Sequence, residues 1–273
     1  MKDLIVSKIE SLPPLPSTLV KLQDACSKEG VSIKEIANII EEDPFLMANI
    51  IKFANSPLYG ASRQVTTILQ ATTMFGVKTI KGLAIASAIK AQFPIDLALY
   101  GIKTEDFVNA SNLKSNFILE WYNQKKEFLD ILVPLSFLMH IGMVLIARVL
   151  KEFQIVDLQG LDFEELKAIE KQAVGFNHIE ILGILFEHWG FEKTMLEVID
   201  ELNNDKNSEL TRNYTLPLKA LNILIAPYKS ATQSQIKNAR EFVFANNLDL
   251  ETFDCTLLKT NLVASLDELE KIG

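Results

Sequence analysis

The chain has 273 residues, 48% of them hydrophobic, and a net charge of −8. That is enough for one large domain or two small ones around a sizeable core, and an acidic balance without a long basic run argues against nucleic acid as the main partner. Cys26 and Cys255 are far apart and form no CxxC pair, which speaks against structural zinc and for two reduced thiols in a cytosolic protein.

In chain order, the N-terminal stretch is too charged, and its apolar part too short, for a secretory signal, so a cytoplasmic location is expected. Residues 2–12 have helical spacing. Pro13, Pro14 and Pro16 then impose an extended turn, and Ser17 can cap a helix running to about Ser27. Ser32 with Glu35 fits a capping box, and Ile36, Ile39 and Ile40 supply the buried stripe. Asp43-Pro44 suits a helix start, with Asp at the cap and Pro at the first position. Asn55-Ser56-Pro57 ends that helix, and Gly60 permits a tight turn. Thr66 or Thr67 opens a short helix that stops at Gly76. A helix from Val77 to about Gln92 follows. Its Gly82, Ala84, Ala86 and Ala88 let a neighbouring helix approach closely.

Residues 95–103 read as a connector, dividing the chain into 1–95 and 104–273. Thr104 opens a helix reaching Trp121 or Tyr122. Next comes Phe128–Leu150, apolar on nearly every face and read as one continuous helix. Such a helix must be buried, in a bilayer or in a core. Asp130 and Arg148 near its ends, with His140 and Pro134 inside, favour the core. Asp157–Gly160 reads as a loop, Asp162 as the cap of a charged helix, and Gly175 as its end. Asn177 caps the next helix with Glu180 at its third position, and Gly190 ends it. Another helix runs from Glu192 to about Leu202. Residues 203–208 read as a polar loop, and further helices are expected near 215–228, 232–246, 250–258 and 262–271. No strand or fixed-period repeat is evident, so the fold class is all-α.

Several separated motifs occur in an order that resembles the HDOD family. They are Leu12-Pro13-Pro14-Leu15-Pro16, Glu42-Asp43-Pro44-Phe45-Leu46, Phe53 to Gly60 (which holds Asn55 and Ser56), and Phe75-Gly76-Val77. In the second half, Phe137 to Gly142 resembles the helix that carries the His-Asp pair of HD-type phosphohydrolases, and Gly175 to Glu180 and Glu187 to Phe191 resemble the next block. The match covers about residues 10–205. It implies an N-terminal helical subdomain packed on a degenerate HD-like helical core, with a bacterial signal-transduction output or scaffolding role.

An HD hydrolase gathers imidazoles and carboxylates on divalent metal to activate water. By the resemblance, the His-Asp pair falls on Met139 and His140, and a thioether is a poor ligand for such metals. His140 stands about 100° around a continuous helix from residue 139, so it does not replace the missing histidine. The earlier histidine position falls on or near Ala110, and the later pair near Leu202-Asn203. His178 alone stands at a ligand position. His188 is ten residues beyond it, roughly 280° around an ideal helix. Packing and capping also account for these residues: His140 as a hydrogen-bonded core histidine, His178 at a helix start, His188-Trp189 at a helix end, and Asn55 and Ser56 as end caps.

The expectation is therefore a vestigial pocket without catalytic residues, metal or cofactor, in a module that binds a protein partner or a small ligand and neither nucleic acid nor membrane. The rival expectation is a residual metal-dependent phosphohydrolase acting on a nucleotide or cyclic dinucleotide.

Overall fold

The computed structural model describes residues 1–28, 30–55, 64–91, 94–153, 158, 163–226, 231–265, 268–269 and 272, and among them the chain is helical, with one isolated bridge between Leu97 and Ile102. The first six helices are α1 (Lys2–Glu10), α2 (Ser17–Cys26), α3 (Ile33–Glu41), α4 (Pro44–Ala54), α5 (Ile68–Phe75) and α6 (Val77–Ala91). Their starts follow from local chemistry. Asp43 Oδ1 accepts the backbone N–H groups of Phe45 and Leu46, each at 3.0 Å, with Pro44 where no N–H is needed. Thr67 and Gln70 form a reciprocal capping box. Ser32 accepts the Glu35 N–H.

Ser17 is not a cap. It is the first helical residue, and extended Pro16 holds the cap position, because the ring fixes φ just ahead of the helix. The Pro13 carbonyl accepts the Trp189 indole N–H at 3.2 Å, so the proline run is a rigid joint laid on the second half. Ser56, Gly60, Asp162 and all of 157–160 except Leu158 lie outside the described residues.

The remaining helices are α7 (Thr104–Trp121), α8 (Leu129–Leu138), α9 (Gly142–Glu152), α10 (Phe163–Val174), α11 (His178–His188), α12 (Lys193–Asn204), α13 (Arg212–Leu224), α14 (Gln233–Ala245) and α15 (Leu250–Lys259). In the tail, Glu268, Leu269 and Ile272 are also helical.

The apolar stretch expected as one helix is two, α8 and α9, separated by a turn at Met139–Ile141. There the Ile141 N–H bonds to the Leu138 carbonyl at 2.8 Å and the Met143 N–H to that of His140 at 3.0 Å, a tightened i→i+3 pattern. Residues Lys126–Glu152 are long and apolar enough to cross a bilayer, but 94% of their most apolar window is buried inside the protein.

Helix α8 is wedged between α6 and α7. Gly82 makes this possible: a β-carbon there would stand 2.8 Å from the Leu129 carbonyl oxygen and 3.1 Å from Pro134. Helix α1 reaches into the second half, packing on α9 and α11, with Lys8 paired to Glu152 at 2.7 Å. The polar loop after α12 is tied down. Lys219 Nζ donates to Asp205 Oδ1 (2.6 Å), the Lys206 carbonyl and Asn207 Oδ1 (both 3.0 Å), and Glu201 Oε2 accepts from Thr215 at 2.8 Å.

Candidate functional site: a sealed chain of polar side chains

The site grows from the start of α11. Asn177 Oδ1 accepts the N–H groups of Ile179 and Glu180, and the Glu180 carboxylate accepts the Asn177 N–H at 2.9 Å. This capping box fixes His178 as the first helical residue, with its ring fully buried. Helix α9 begins directly against it. A β-carbon on Gly142 would lie 2.1 Å from the His178 carbonyl oxygen, a contact no other residue can make. That approach explains the turn at Met139–Ile141, which brings the His140 ring alongside His178.

Four side chains then form one line. Lys114 Nζ lies 2.6 Å from His140 Nε2, His140 Nδ1 lies 3.1 Å from His178 Nε2, and His178 Nδ1 lies 2.6 Å from Glu170 Oε2. Glu170 also accepts the His178 backbone N–H at 2.9 Å and the Tyr100 hydroxyl at 2.8 Å. All five residues are buried. A carboxylate only accepts, so His178 carries a proton on Nδ1.

Burial pushes Lys114 down to about 7. Burial, and then Lys114 and His178 beside it, holds His140 well below the usual imidazole range, so the ring is neutral. Burial, and then the Glu170 charge, holds the Tyr100 hydroxyl well above its usual value, which keeps it a donor.

Of the vestigial-pocket positions, the structure brings His140 and His178 into direct contact. Met139, 1% exposed, sits beside them in the turn. The backbone stays right-handed helical at Met139 and Ile141, so even in the tightened turn His140 stands roughly 120° around from residue 139. Ala110 lies one turn before Lys114 on α7. Leu202 packs against the core from α12, and Asn203 Oδ1 accepts from Asn177 Nδ2 at 2.7 Å. His188 stays apart, beside Leu12, Pro14 and Trp189.

The N-terminal motif residues are joints. Asn55 Nδ2 donates to the Ile51 and Val65 carbonyls at 2.9 and 2.7 Å, and its Oδ1 accepts the Val65 N–H at 2.8 Å. Gly76 turns the chain from α5 into α6 at φ +86°.

Sequence reasoning missed Lys114, Glu170 and Tyr100. Two of them left a trace. Lys114 falls in the buried stripe Phe107, Ala110, Ser111, Lys114, Phe117 and Ile118 of α7, and Glu170 stands between buried Leu166 and Val174 at i, i+4, i+8. A charged residue at an apolar position of a helix signals a buried partner. Tyr100, in a short 3₁₀ turn, left none.

An all-helical fold with an imidazole pair where two helix starts meet defines an HD-related class of protein. The HDOD domain profile matches residues 12–204, and the chain belongs to the HDOD domain family. Among solved structures, a virulence factor from Campylobacter jejuni is 29% identical, with 95% of each chain covered and a TM-score of 0.58. An HDOD domain protein of unknown function from Geobacter sulfurreducens is 16% identical, covering 98% of each chain at a TM-score of 0.61. A Shewanella amazonensis protein described as a candidate metal-dependent phosphohydrolase is 19% identical, covering 95% of this chain and 96% of its own at a TM-score of 0.64. A curated relative of uncharacterised function from Treponema pallidum is 28% identical over 79 residues, a match that spans 15% of that protein's length.

Proposed function

We propose that this HDOD domain is a non-catalytic signalling module in which binding of a protein partner or a small ligand shifts the packing between its two helical halves. The observation that carries this reading is the placement of Lys114 Nζ on His140 Nε2. A divalent metal needs free imidazole or carboxylate lone pairs at the HD position. Here every ring nitrogen of the histidine pair has a protein partner. Among the described residues, no group of three or more His, Cys, Asp or Glu side chains could hold a metal ion. The donors therefore do not fit a catalytic metal, and the buried lysine side chain occupies the old pocket.

A module of this kind works through differential affinity for two arrangements. The packing of α6 on α8 joins the two halves, and it is the natural place for such a shift.

The test is elemental analysis of chelator-free protein, together with hydrolysis of bis(p-nitrophenyl) phosphate in added Mn²⁺. Substoichiometric metal and no turnover above buffer are expected. About one tightly held metal per chain, with turnover lost in His178→Ala, establishes the phosphohydrolase instead.

A further inference from the structure

A second polar region lies between the halves, distinct from the sealed chain but adjoining it at Ser115. It is a cleft of about 650 Å³, walled by α4 and α6 on one side and α7 and α8 on the other. That volume falls within the ordinary range of small-molecule sites. Lys52 and Lys90 line it from the last turns of α4 and α6, where the helix ends favour positive charge. The Lys90 ammonium lies 5.5 Å from the centre of the Phe137 ring.

No described carboxylate pairs with either lysine, and none lines the cleft. The stretches 56–63 and 92–93, which follow α4 and α6 in sequence, contain no Asp or Glu. Burial, and then repulsion from Lys52, holds Lys90 below its usual value. Two like charges left together in a chain of net charge −8 cost free energy, and an anion between them returns it. The other walls are of a different character. Asn49 and Asn112 are exposed amides at the rim, each a donor and an acceptor, while Phe53 and Phe137 present apolar surface.

We propose that this cleft binds a nucleoside phosphate, with the phosphates between Lys52 and Lys90, the base against the aromatic wall, and its edge read by the rim amides. Inorganic phosphate would leave most of the volume and the apolar wall unused. Because α4 and α6 belong to the first half and α7 and α8 to the second, such a ligand touches both. Ser115 lines the cleft one residue from Lys114, so the bound state is next to the sealed chain. The inference rests on the binding-module reading for its role, not for its geometry, and the two fail separately. Turnover with bound metal overturns the module and leaves the cleft, whereas an empty cleft leaves the module to protein partners.

The experiment is fluorescence titration of the full chain with N-methylanthraniloyl-ADP and -GDP, competed with unlabelled nucleotide and with pyrophosphate. Saturable binding by at least one nucleotide is expected, weakening as NaCl rises. Lys52→Glu and Lys90→Glu should each lower affinity about tenfold or more. Asn112→Asp, which adds a negative charge at an exposed rim position, should lower it with the circular dichroism spectrum unchanged, which covers the case of a Lys90 variant that fails to fold. Lys193→Glu, on exposed α12, should leave it as it was. No saturable binding to either probe overturns the proposal. So does affinity indifferent to Lys52→Glu and Asn112→Asp, or pyrophosphate competing as well as ADP.

Discussion

The chain of side chains from α7 to α10 and the cleft between α4 and α7 each set a lysine among uncharged polar groups, yet they are opposite in accounting. In the first, Lys114 is paired with His140, His140 with His178, and the series ends on buried Glu170. In the second, Lys52 and Lys90 line an open cleft with no carboxylate among the described residues lining it. Both regions are polar where a helical domain is usually apolar. Closure separates them: a closed network holds the fold in one arrangement, and an open one leaves charge for something to bind. Residues in the first should therefore govern stability, and residues in the second should govern affinity.

The sharpest way to break that division is at the joint that closes the chain. Gly142→Ala forces a β-carbon into the His178 carbonyl oxygen and should cost about 5 kcal/mol, enough to unfold a marginal domain. The readout is soluble yield and the urea midpoint. Next, Glu170→Gln replaces the terminal acceptor of three hydrogen bonds and should cost about 3–5 kcal/mol, as removing one partner from a buried charged network does. An unchanged urea midpoint would mean the line of hydrogen bonds contributes nothing.

Lys114 gives the comparison a pH axis. Its folded value of about 7 lies below the unfolded value of ~10.4. Between them the unfolded chain binds the extra proton, so this residue makes stability rise with pH over that window and adds no slope below it. His140, held neutral in the fold, adds a separate rise on the acid side as pH climbs towards ~6.5, the unfolded imidazole value. Lys114→Met should abolish the upper rise and keep the lower one, measured as urea midpoints at pH 5.5, 7 and 9. An upper rise that persists in the variant assigns it to other groups.

Smaller effects sharpen the contrast. Asn55→Ala loses three hydrogen bonds that hold the chain after α4 and should cost about 1–2 kcal/mol. Lys52→Glu, on the open cleft, should shift stability by no more than about 0.5 kcal/mol, in contrast to its effect on nucleotide binding.

What the sequence disclosed was what neighbours in the chain decide. Asp43-Pro44 and Asn177 with Glu180 are caps closed within three residues, and each is legible because donor and acceptor are local. Gly82 in a run of small residues announced the close approach of α8. The break at Met139–Ile141 was not legible, since it follows from Gly142 meeting a residue 36 positions later. The chain of polar groups joins residues 26, 38 and 70 apart. Motif matching drew attention to the ligands that were missing from the pocket and away from Lys114, which had entered it.

The position of α1 has a consequence for synthesis. Ile5 and Ile9 are almost fully buried, and the helix that carries them packs on α9 and α11. During synthesis those residues precede their partners by more than 130 positions. Until His188 has emerged, the N-terminal segment has no docking place and presents its apolar side to the cell. Helix α2, whose neighbours α3 and α6 come soon after it, has a far shorter wait. Helix α1 is therefore made well before it can settle, and that interval is when a nascent chain of this design most needs a chaperone.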